Sequence, residues 1–435
     1  MKLSIIIPTR SRGNYLRSSI LSAIFAANNT DWPVEIIVSD NASEDDTENI
    51  VKSFSDKRII YLKTQKRLSM RANFEFALGH SSGSHLLFIG DDDAVVPHGL
   101  RLLTKIIEQT DTDAVKWRII NYVWPNLETG RPGHVKLRTR QLSAVRATID
   151  SQKLLQQFCR GGIRSYMKGA MIYHGCVSRR IIDRVRNIQD GPYFRCAAPD
   201  VYAAIQNVFV VKTPIQAIDI PITIGGESPK SNGASALRYG RGLDEGDNKV
   251  FELFAKEYRD DKYIGVLRPD NPSVTMHMLD SLQTASKVLN VPIDVSSKNW
   301  AKIIMNEIRL FSPEIQRKCR EQARDLLGED FPQNKRLPNK QIAPSFKKCD
   351  ASASFEYEKL SIRNGFFKIQ ISGGNEMKNS ATAAKFIDEL LSVRDYSISL
   401  SKENKPAIWR ILDIHLNTLK YRAKLEALGL QSDKQ

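Results

Sequence analysis

Apolar residues in the first hundred positions fall into two kinds of run. Short, nearly continuous runs at Leu3–Ile7, Val34–Asp40, Arg58–Leu62 and His85–Gly90 predict buried β-strands. Between them, apolar residues recur every three or four positions and predict helices with one buried face, carrying Leu16, Ile20, Ile24, Ala27, Ile50, Val51, Phe54, Met70, Phe74, Ala77 and Leu78. Strand and helix alternate throughout, so the pattern predicts a doubly wound α/β domain with a mostly parallel sheet.

Polar and acidic residues follow three of these strands where each strand ends. Thr9, Asp40 and the run Asp91–Asp93 all stand at the carboxyl ends, where sheets of this class bind ligands. Adjacent carboxylates suit Mg²⁺ or Mn²⁺, and such ions complete their shells with water and substrate phosphates. The arrangement predicts a phosphorylated ligand. The alternative is a solvated acidic turn before the helix that begins near Pro97.

Four segments of the chain resemble glycosyltransferase family 2, namely Ile6–Thr9, Val38–Asp45, Met70–Asn73 and Phe88–Asp93. The resemblance covers roughly the first half of the chain. It implies the GT-A fold, with a mixed sheet, and transfer of a sugar from a nucleotide-activated donor with inversion at the anomeric carbon. The sequence departs from the family pattern at Gly90, which stands in the first place of the usual Asp-x-Asp-Asp motif.

The resemblance also implies roles for individual residues. Nucleotide-sugar contacts are expected from Pro8, Thr9, Arg10, Asp40, Arg71, Asn73 and Asp91. The metal, Mn²⁺ or Mg²⁺, is expected on Asp92, with Asp93 as a second candidate ligand. Structural alternatives stand beside these roles: Asp40 as a turn cap, Arg71 as a surface residue and Asn73 as the N-cap of its helix. Arg10 and Arg12 either contact the pyrophosphate or only decorate their loop.

An inverting transfer needs a general base that takes the proton of the acceptor hydroxyl. The family resemblance places this base downstream of the metal motif, where Asp200 is the candidate. Pro199 puts Asp200 in the first turn of a helix, and a helix start favours the carboxylate form. The same effect makes acidic residues common at helix starts for structural reasons alone. Asp190 is a weaker competitor.

The segments around these carboxylates are expected to build the acceptor side. Residues 124–140 predict a mobile basic loop, and Met171–Val177 predicts a strand. Within that strand, His174 is expected to be structural, with a contact to acceptor or metal as the alternative. Residues 227–242 predict either a flexible lid over the donor or an ordinary exposed linker.

Composition limits the class of protein and its partners. The chain has 435 residues and a net charge of +15, which predicts an anionic partner such as a phosphate-bearing lipid, an anionic membrane or an acidic glycan. No zinc-finger spacing or aromatic RNA-binding motif is present, so nucleic acid is not expected. No apolar stretch reaches the length of a membrane span. Scattered cysteines and the absence of a signal-peptide pattern favour the cytoplasm.

The second half of the chain carries no recognisable chemistry. We predict a helical extension over residues 246–330 and an accessory region over 331–435, after a catalytic domain at 1–245. The accessory region would hold a linker at 335–348, a hairpin around Asn364–Gly365 and a long terminal helix through Ile408 and Leu419. That helix would lie on an anionic membrane, pair with another protomer or pack on its own domain.

Together these features predict a metal-dependent inverting glycosyltransferase acting on a hydroxyl of a glycan or lipid-linked sugar, in cell-surface polysaccharide assembly at the inner face of the membrane. One alternative is a nucleotidyltransferase that makes a nucleotide sugar. That class normally has a glycine-rich phosphate loop after the first strand, and only Gly13 stands there. The other is a non-catalytic glycan- or nucleotide-binding protein on the same fold.

Overall fold

A computed structural model describes the chain over residues 1–125, 133–138, 146–229, 231–242, 253, 256–331, 360–363, 366–370 and 379–392. The strands are β1 (Leu3–Thr9), β2 (Val34–Asp40), β3 (Ile59–Lys63), β4 (His85–Phe88), β5 (Ala94–Val95), β6 (Ala114–Trp117), β7 (Ile120–Val123), β8 (His134–Arg138), β9 (Arg146–Ile149), β10 (Gly175–Ser178), β11 (Ile215–Ile218), β12 (Thr223–Glu227), β13 (Leu360–Arg363) and β14 (Phe366–Gln370). The helices are α1 (Gly13–Ala27), α2 (Thr47–Lys52), α3 (Met70–Gly79), α4 (Pro97–Thr110), α5 (Ser151–Cys159), α6 (Arg179–Gln189), α7 (Pro199–Val210), α8 (Asn232–Arg241), α9 (Val274–Val288), α10 (Ser297–Ile308), α11 (Pro313–Leu327) and α12 (Ser380–Ser392).

The main sheet within the described residues has the strand order β3-β2-β1-β4-β10-β6-β11-β9. Strands β3, β2, β1 and β4 run parallel, and β10 is antiparallel to both of its neighbours. Parallel strands buried on both faces are continuously apolar, and β1 and β2 show this pattern. The predicted class, an α/β fold with a mixed sheet, is confirmed.

Helices cover both faces of this sheet and form two apolar layers. Helices α1 and α4 pack on one face, where Leu16, Leu100 and Leu103 are fully buried. Helices α3, α6 and α7 pack on the other, and α9 lies against α7. Because both faces are covered, the carboxyl edge of the sheet is left as the place where polar side chains can gather.

A second sheet with the order β13-β14-β8-β7-β12-β5 adjoins the carboxylate run. The hairpin predicted around residues 364–365 is confirmed, with β13 antiparallel to β14, and β14 then pairs with β8. Helix α12 packs on α1 and α4. The described part of 360–392 thus packs on the amino-terminal domain, and the boundaries at residues 245 and 331 stay predictions.

Several local predictions differ from the structure. The strand predicted at Met171–Val177 begins only at Gly175, because His174 has a left-handed backbone with φ of 51°. The basic segment 124–140 contains strand β8, while residues 126–132 and 139–140 lie outside the described residues. The segment 227–242 contains helix α8, although residue 230 is outside the description.

The extension after residue 256 is helical, as predicted. Helix α11 begins with Ser312 as N-cap, has Pro313 in its first turn and ends before Gly328, which has a φ of 60°. The predicted linker at 335–348 and the predicted terminal helix around Ile408 lie outside the described residues. None of the described helices combines the length and the apolar character that crossing a bilayer requires.

Candidate active site

The predicted site begins at the carboxyl ends of β1, β2 and β4. Thr9 on β1 is in register with Asp40 on β2, and β4 pairs with β1 on its other side. The Thr9 hydroxyl donates to Oδ2 of Asp91 over 2.7 Å. The parallel register therefore brings Thr9, Asp40 and the carboxylate run to one edge of the sheet.

Arg12 lies between the first two carboxylates of the run. Its two terminal nitrogens are 3.1 Å from Oδ1 of Asp91 and 2.7 Å from Oδ2 of Asp92. The nitrogen that reaches Asp92 also donates to the Ser228 hydroxyl over 2.8 Å, and Ser228 donates to Asp92 over 2.6 Å. We call these four residues, Arg12, Asp91, Asp92 and Ser228, the arginine side of the site.

Charge on the arginine side is only partly balanced. Burial raises the pKa of Asp91 to about 7, Arg12 opposes the rise and Asp92 adds to it. Burial also raises the pKa of Asp92, with Arg12 opposing and the Asp93 charge adding. Two buried carboxylates share one arginine, so this side of the site holds an excess of potential negative charge.

Asp93 has a different environment, although it follows Asp92 directly. Its Oδ2 accepts from the Tyr173 hydroxyl over 2.7 Å, lies 3.1 Å from Nε2 of His174, and also accepts from the Gly90 N–H. Its Oδ1 accepts from the Gly226 N–H over 2.7 Å. Burial alone would raise the pKa of Asp93, but His174, the Gly226 N–H and Tyr173 lower it below its ordinary value.

These contacts bear on the two metal ligands predicted from sequence. Both oxygens of Asp93 are bonded to protein donors, so the predicted metal contact of Asp93 would require some of these bonds to break. His174 is engaged on both ring nitrogens, with Asp93 on one side and the Thr223 hydroxyl at 2.8 Å on the other. The structural role expected for His174 therefore matches its contacts.

Two glycines make the close packing around Asp93 possible. A Cβ atom at Gly226 would lie 2.0 Å from the carbonyl oxygen of Asp92. At Gly90 it would lie 2.7 Å from the Tyr173 hydroxyl and 2.9 Å from Oδ2 of Asp93. A side chain at Gly90 would therefore crowd the Tyr173–Asp93 contact.

Asp200 occupies the first turn of α7, directly after Pro199. The Tyr166 hydroxyl donates to its carboxylate, and the first-turn N–H groups do the same. Burial raises the pKa of Asp200, while Tyr166 and the helix start hold part of that rise back. His174 acts electrostatically on both Asp200 and Asp93, so these carboxylates share one neighbourhood. We call Asp93, Tyr166, Tyr173, His174 and Asp200 the tyrosine side of the site.

The competing base candidate lies elsewhere. Asp190 is the C-cap of α6 and has a left-handed backbone with φ of 44°. Such a position suits the end of a helix, and Asp and Asn are the residues other than glycine that adopt it most readily. Asp190 therefore has a structural reason for its place.

A buried lysine supports the turn that carries Tyr166. Lys116 on β6 is 7% exposed, and its ammonium donates to the carbonyl of Met167 in the 3₁₀ turn Tyr166–Lys168. Burial lowers the pKa of Lys116 to about 7, and the neighbouring charges of Lys168 and Arg118 add to the effect. The contact fixes the backbone next to the residue that bonds to Asp200.

Asp40 and Arg10 have partners inside the protein. Asp40 accepts from the Ser43 N–H over 2.8 Å and from the Tyr61 hydroxyl over 2.6 Å, so it caps the turn after β2. This is the structural alternative expected for Asp40, and its contact with a base stays a prediction. Arg10 forms an ion pair with Glu257. Pro8, predicted beside them, lies within β1 in register with Ser39.

Arg71 and Asn73 on α3 face the protein interior. The Arg71 guanidinium is held by Asp261 and by the carbonyl of Phe194, and its side chain is 8% exposed, so it is not the surface residue of the alternative. Asn73 accepts from the Ser39 hydroxyl over 2.8 Å. The N-cap of α3 is Ser69, so the N-cap alternative for Asn73 is wrong. Direct nucleotide contacts by these residues would require their present bonds to break.

The residues that would fit a divalent cation are Asp91 and Asp92. They offer carboxylate oxygens, which Mg²⁺ and Mn²⁺ prefer, and their excess negative charge is what a cation would balance. Among the described residues, no three His, Cys, Asp or Glu side chains gather with metal-binding geometry. Two protein carboxylates, with water and phosphate oxygens completing the shell, is the usual pattern for Mg²⁺.

Sequence reasoning missed several members of the site. Ser228, Tyr166, Tyr173 and Gly226 carry no motif, and the contacts reach far along the chain. Tyr173 is 80 residues from Asp93, and Ser228 is 136 residues from Asp92. Two of them had an indirect signal, since Tyr173 falls within the run predicted as a strand and Ser228 within the segment predicted as a lid or a linker.

The amino-terminal part of the chain is similar to known glycosyltransferases. Residues 4–174 match the protein family described as Glycosyl transferase family 2. Abequosyltransferase RfbV of Salmonella typhimurium is 28% identical over 185 residues, which cover 40% of this chain and 53% of that protein. The GalNAc(5)-diNAcBac-PP-undecaprenol beta-1,3-glucosyltransferase of Campylobacter jejuni is 36% identical over 106 residues, or 23% of this chain and 33% of that protein. The chain thus spans about half or less of the length of these curated relatives.

Among solved structures, S. aureus TarS 1–349 in complex with UDP-GlcNAc overlaps with 75% of this chain and 89% of its own. The sequence identity is 15% and the TM-score is 0.41. With a TM-score below 0.5, this overlap carries no argument about ligands.

Proposed function

The amino-terminal part of this chain belongs to glycosyl transferase family 2, as its motifs predicted, and on that premise we propose that the chain is an inverting, metal-dependent glycosyltransferase. It would move a sugar from a nucleoside-diphosphate donor to a hydroxyl of an acceptor glycan. The observation that carries the proposal is that His174, which lies 3.1 Å from Asp93 in the carboxylate run after β4, also acts electrostatically on Asp200 at the start of α7.

Asp200 is the proposed general base. Its carboxylate takes the proton of the acceptor hydroxyl while that oxygen attacks the anomeric carbon and the bond to the diphosphate breaks. A raised pKa suits this task, because a stronger base accepts the proton more readily. The Tyr166 hydroxyl positions the carboxylate through its hydrogen bond.

Asp91 and Asp92 are the proposed holders of the cation and of the donor's ribose and diphosphate. A divalent cation bound there would supply Lewis-acid stabilisation of the charge on the departing diphosphate. Asp93 stays bonded to Tyr173, His174 and Gly226 and orients the loop. Thr9 holds Asp91 from the other side, so the loop is fixed before the donor arrives.

The acceptor class follows from the relatives and from charge. The Campylobacter jejuni relative is named for a polyprenyl-diphosphate-linked glycan. A net charge of +15 suits an acceptor or surface of negative charge. We therefore propose a lipid-linked glycan acceptor, peripheral contact with an anionic membrane on the cytoplasmic side, and a role in cell-surface polysaccharide assembly. Association through the carboxy-terminal segment is a further part of this proposal.

A donor screen tests the proposal directly. The purified chain with Mn²⁺ is mixed with single sugar nucleotides, and the melting temperature is recorded, because a ligand that binds only the folded form raises it. The sugar nucleotide that stabilises best is then incubated with the native chain and with Asp92→Ala, and donor hydrolysis is measured. We expect one donor class to stabilise and hydrolysis to fall with the variant. Stabilisation by none of the donors would refute the proposal, and so would hydrolysis of the best donor at equal rates in both chains.

A further inference from the structure

Arg12 occupies the position that a cation shared by Asp91 and Asp92 would take. Its guanidinium touches one oxygen of each carboxylate, at 3.1 and 2.7 Å, and its side chain is only 16% exposed. The Ser228 hydroxyl accepts from Arg12 and donates to Asp92, so it links these two side chains. The two carboxylates therefore have a built-in positive partner.

Arg12 is not fully bonded where it lies. Its Nε is buried and has no hydrogen-bond partner among the described residues, although a guanidinium carries five N–H donors. The residue is also the N-cap of α1, and the preceding Ser11 has a left-handed backbone with φ of 48°. Arg12 thus stands at the end of a loop, from which its side chain can leave the carboxylates without moving a strand.

A guanidinium and a divalent cation cannot hold the same oxygens together. Both are positive, and they would lie within a few ångströms of each other in a site with little solvent to screen them. Removing the arginine leaves two buried carboxylates without a compensating charge, a state that strongly favours uptake of another cation. Whichever cation is present therefore excludes the other.

We propose that Arg12 is an internal counter-ion that competes with the divalent cation for Asp91 and Asp92. The inference rests on the proposed function for the identity of the competing ion. It adds that the chain on its own holds Mn²⁺ weakly, because each binding event must first displace Arg12. A donor diphosphate would lower that barrier by giving the displaced guanidinium a new anionic partner.

Mn²⁺ binding without any nucleotide tests the competition. Titration of the full chain is followed by calorimetry and by loss of the free Mn²⁺ signal in electron paramagnetic resonance. We expect Arg12→Gln to bind Mn²⁺ at least about tenfold more tightly than the native chain, since the competitor is gone. Arg10→Gln is the matched control. It removes the same charge from the same loop, but native Arg10 pairs with Glu257 rather than with the two carboxylates. Its affinity should stay within about twofold of the native value.

A second readout covers a variant that folds poorly. The increase in melting temperature on adding Mn²⁺ should be larger for Arg12→Gln than for the native chain, because the metal then replaces a missing charge. Arg12→Lys keeps the charge but loses the two-pronged contact, so its Mn²⁺ affinity should fall between the two. Adding Asp92→Asn to Arg12→Gln should weaken binding again.

Three results would overturn the inference. Equal or weaker Mn²⁺ binding by Arg12→Gln would remove the competition and leave the proposed transfer reaction standing. Equal tightening by Arg10→Gln would show a general charge effect instead of a shared site. Absence of Mn²⁺ binding in every variant, including Arg12→Gln, would remove both this inference and the metal step of the proposed function.

Discussion

The arginine side and the tyrosine side of the site both hold buried carboxylates, but the partners that stabilise these carboxylates differ between the two sides. On the arginine side, Asp91 and Asp92 are balanced by one full charge, that of Arg12. On the tyrosine side, Asp93 and Asp200 are held by hydroxyl, backbone N–H and imidazole donors. Burial disfavours all four charged carboxylates, yet the pKa of Asp93 falls while those of the other three rise.

The difference lies in the number of donors that each carboxylate receives. Asp93 has both oxygens occupied, and His174, together with the hydrogen bonds from the Gly226 N–H and Tyr173, outweighs the cost of burial. Asp91 and Asp92 share a single guanidinium, so part of the burial cost is not recovered. A fully bonded carboxylate is suited to holding a loop in place, whereas an incompletely balanced one is suited to binding a cation or accepting a proton.

The largest expected effect on activity comes from replacing Asp200, the proposed general base. We expect Asp200→Asn to reduce sugar transfer by about 10²–10⁴-fold, because the amide cannot take the acceptor proton. Asp190→Asn should leave transfer unchanged, since asparagine also adopts the left-handed helix end. Initial rates of product formation at saturating donor measure both. A normal rate with Asp200→Asn would show that Asp200 is not the general base.

Replacing Asp93 should lower the free energy of unfolding more than replacing its neighbour Asp92. Asp93→Asn replaces Oδ2, the acceptor of Tyr173 and the neighbour of His174, with an amide NH₂ that cannot accept, and breaking a buried pair of this kind costs about 3–5 kcal/mol. Asp92→Asn should cost less than about 1.5 kcal/mol, because the charged form of Asp92 is already disfavoured. Urea unfolding of both variants measures the two values. An equal loss of stability in the two variants would contradict the proposed difference between the arginine side and the tyrosine side.

Tyr166→Phe tests whether the tyrosine side tunes the base. The Tyr166 hydrogen bond lowers the pKa of Asp200, so its loss should raise that pKa and move the rising limb of the pH–rate profile to higher pH. Losing a hydrogen bond to a charged group should also reduce kcat by roughly tenfold. The profile of kcat/KM against pH gives the measurement, with Tyr263→Phe as control. An unmoved profile with a lower rate would indicate a purely structural role.

The smallest expected effect on catalysis concerns Lys116, which supports the Tyr166 turn. Its folded pKa of about 7 lies below the ordinary value of 10.5, so the unfolded chain binds more protons between these pH values. The free energy of unfolding should therefore rise with pH from about 7 towards 10 on account of this residue. Urea unfolding at several pH values should show a reduced slope for Lys116→Met. An exposed-lysine control, Lys153→Met, should keep the native slope.

Local signals in the sequence predicted much of the fold. Strand β2 has the predicted ends, and helix α11 runs from an N-cap serine to a terminal glycine, because signals of this kind act within a few residues. Short apolar runs were less informative. Residues 209 and 210 end α7, although the run Phe209–Lys212 resembles a strand, and such runs do not distinguish the two structures without their surroundings.

The sequence by itself determined which residues stand at the carboxyl ends of β1, β2 and β4, because a parallel α/β pattern directs those ends to one edge. Only the tertiary structure decided how each carboxylate is used. The partners of Asp93 come from 80 and 133 residues away, and hydrogen bonds of that range leave no periodic mark on the chain. Asp91 and Asp92 therefore share one arginine while Asp93 is held by several protein donors, a distinction set by packing rather than by residue type.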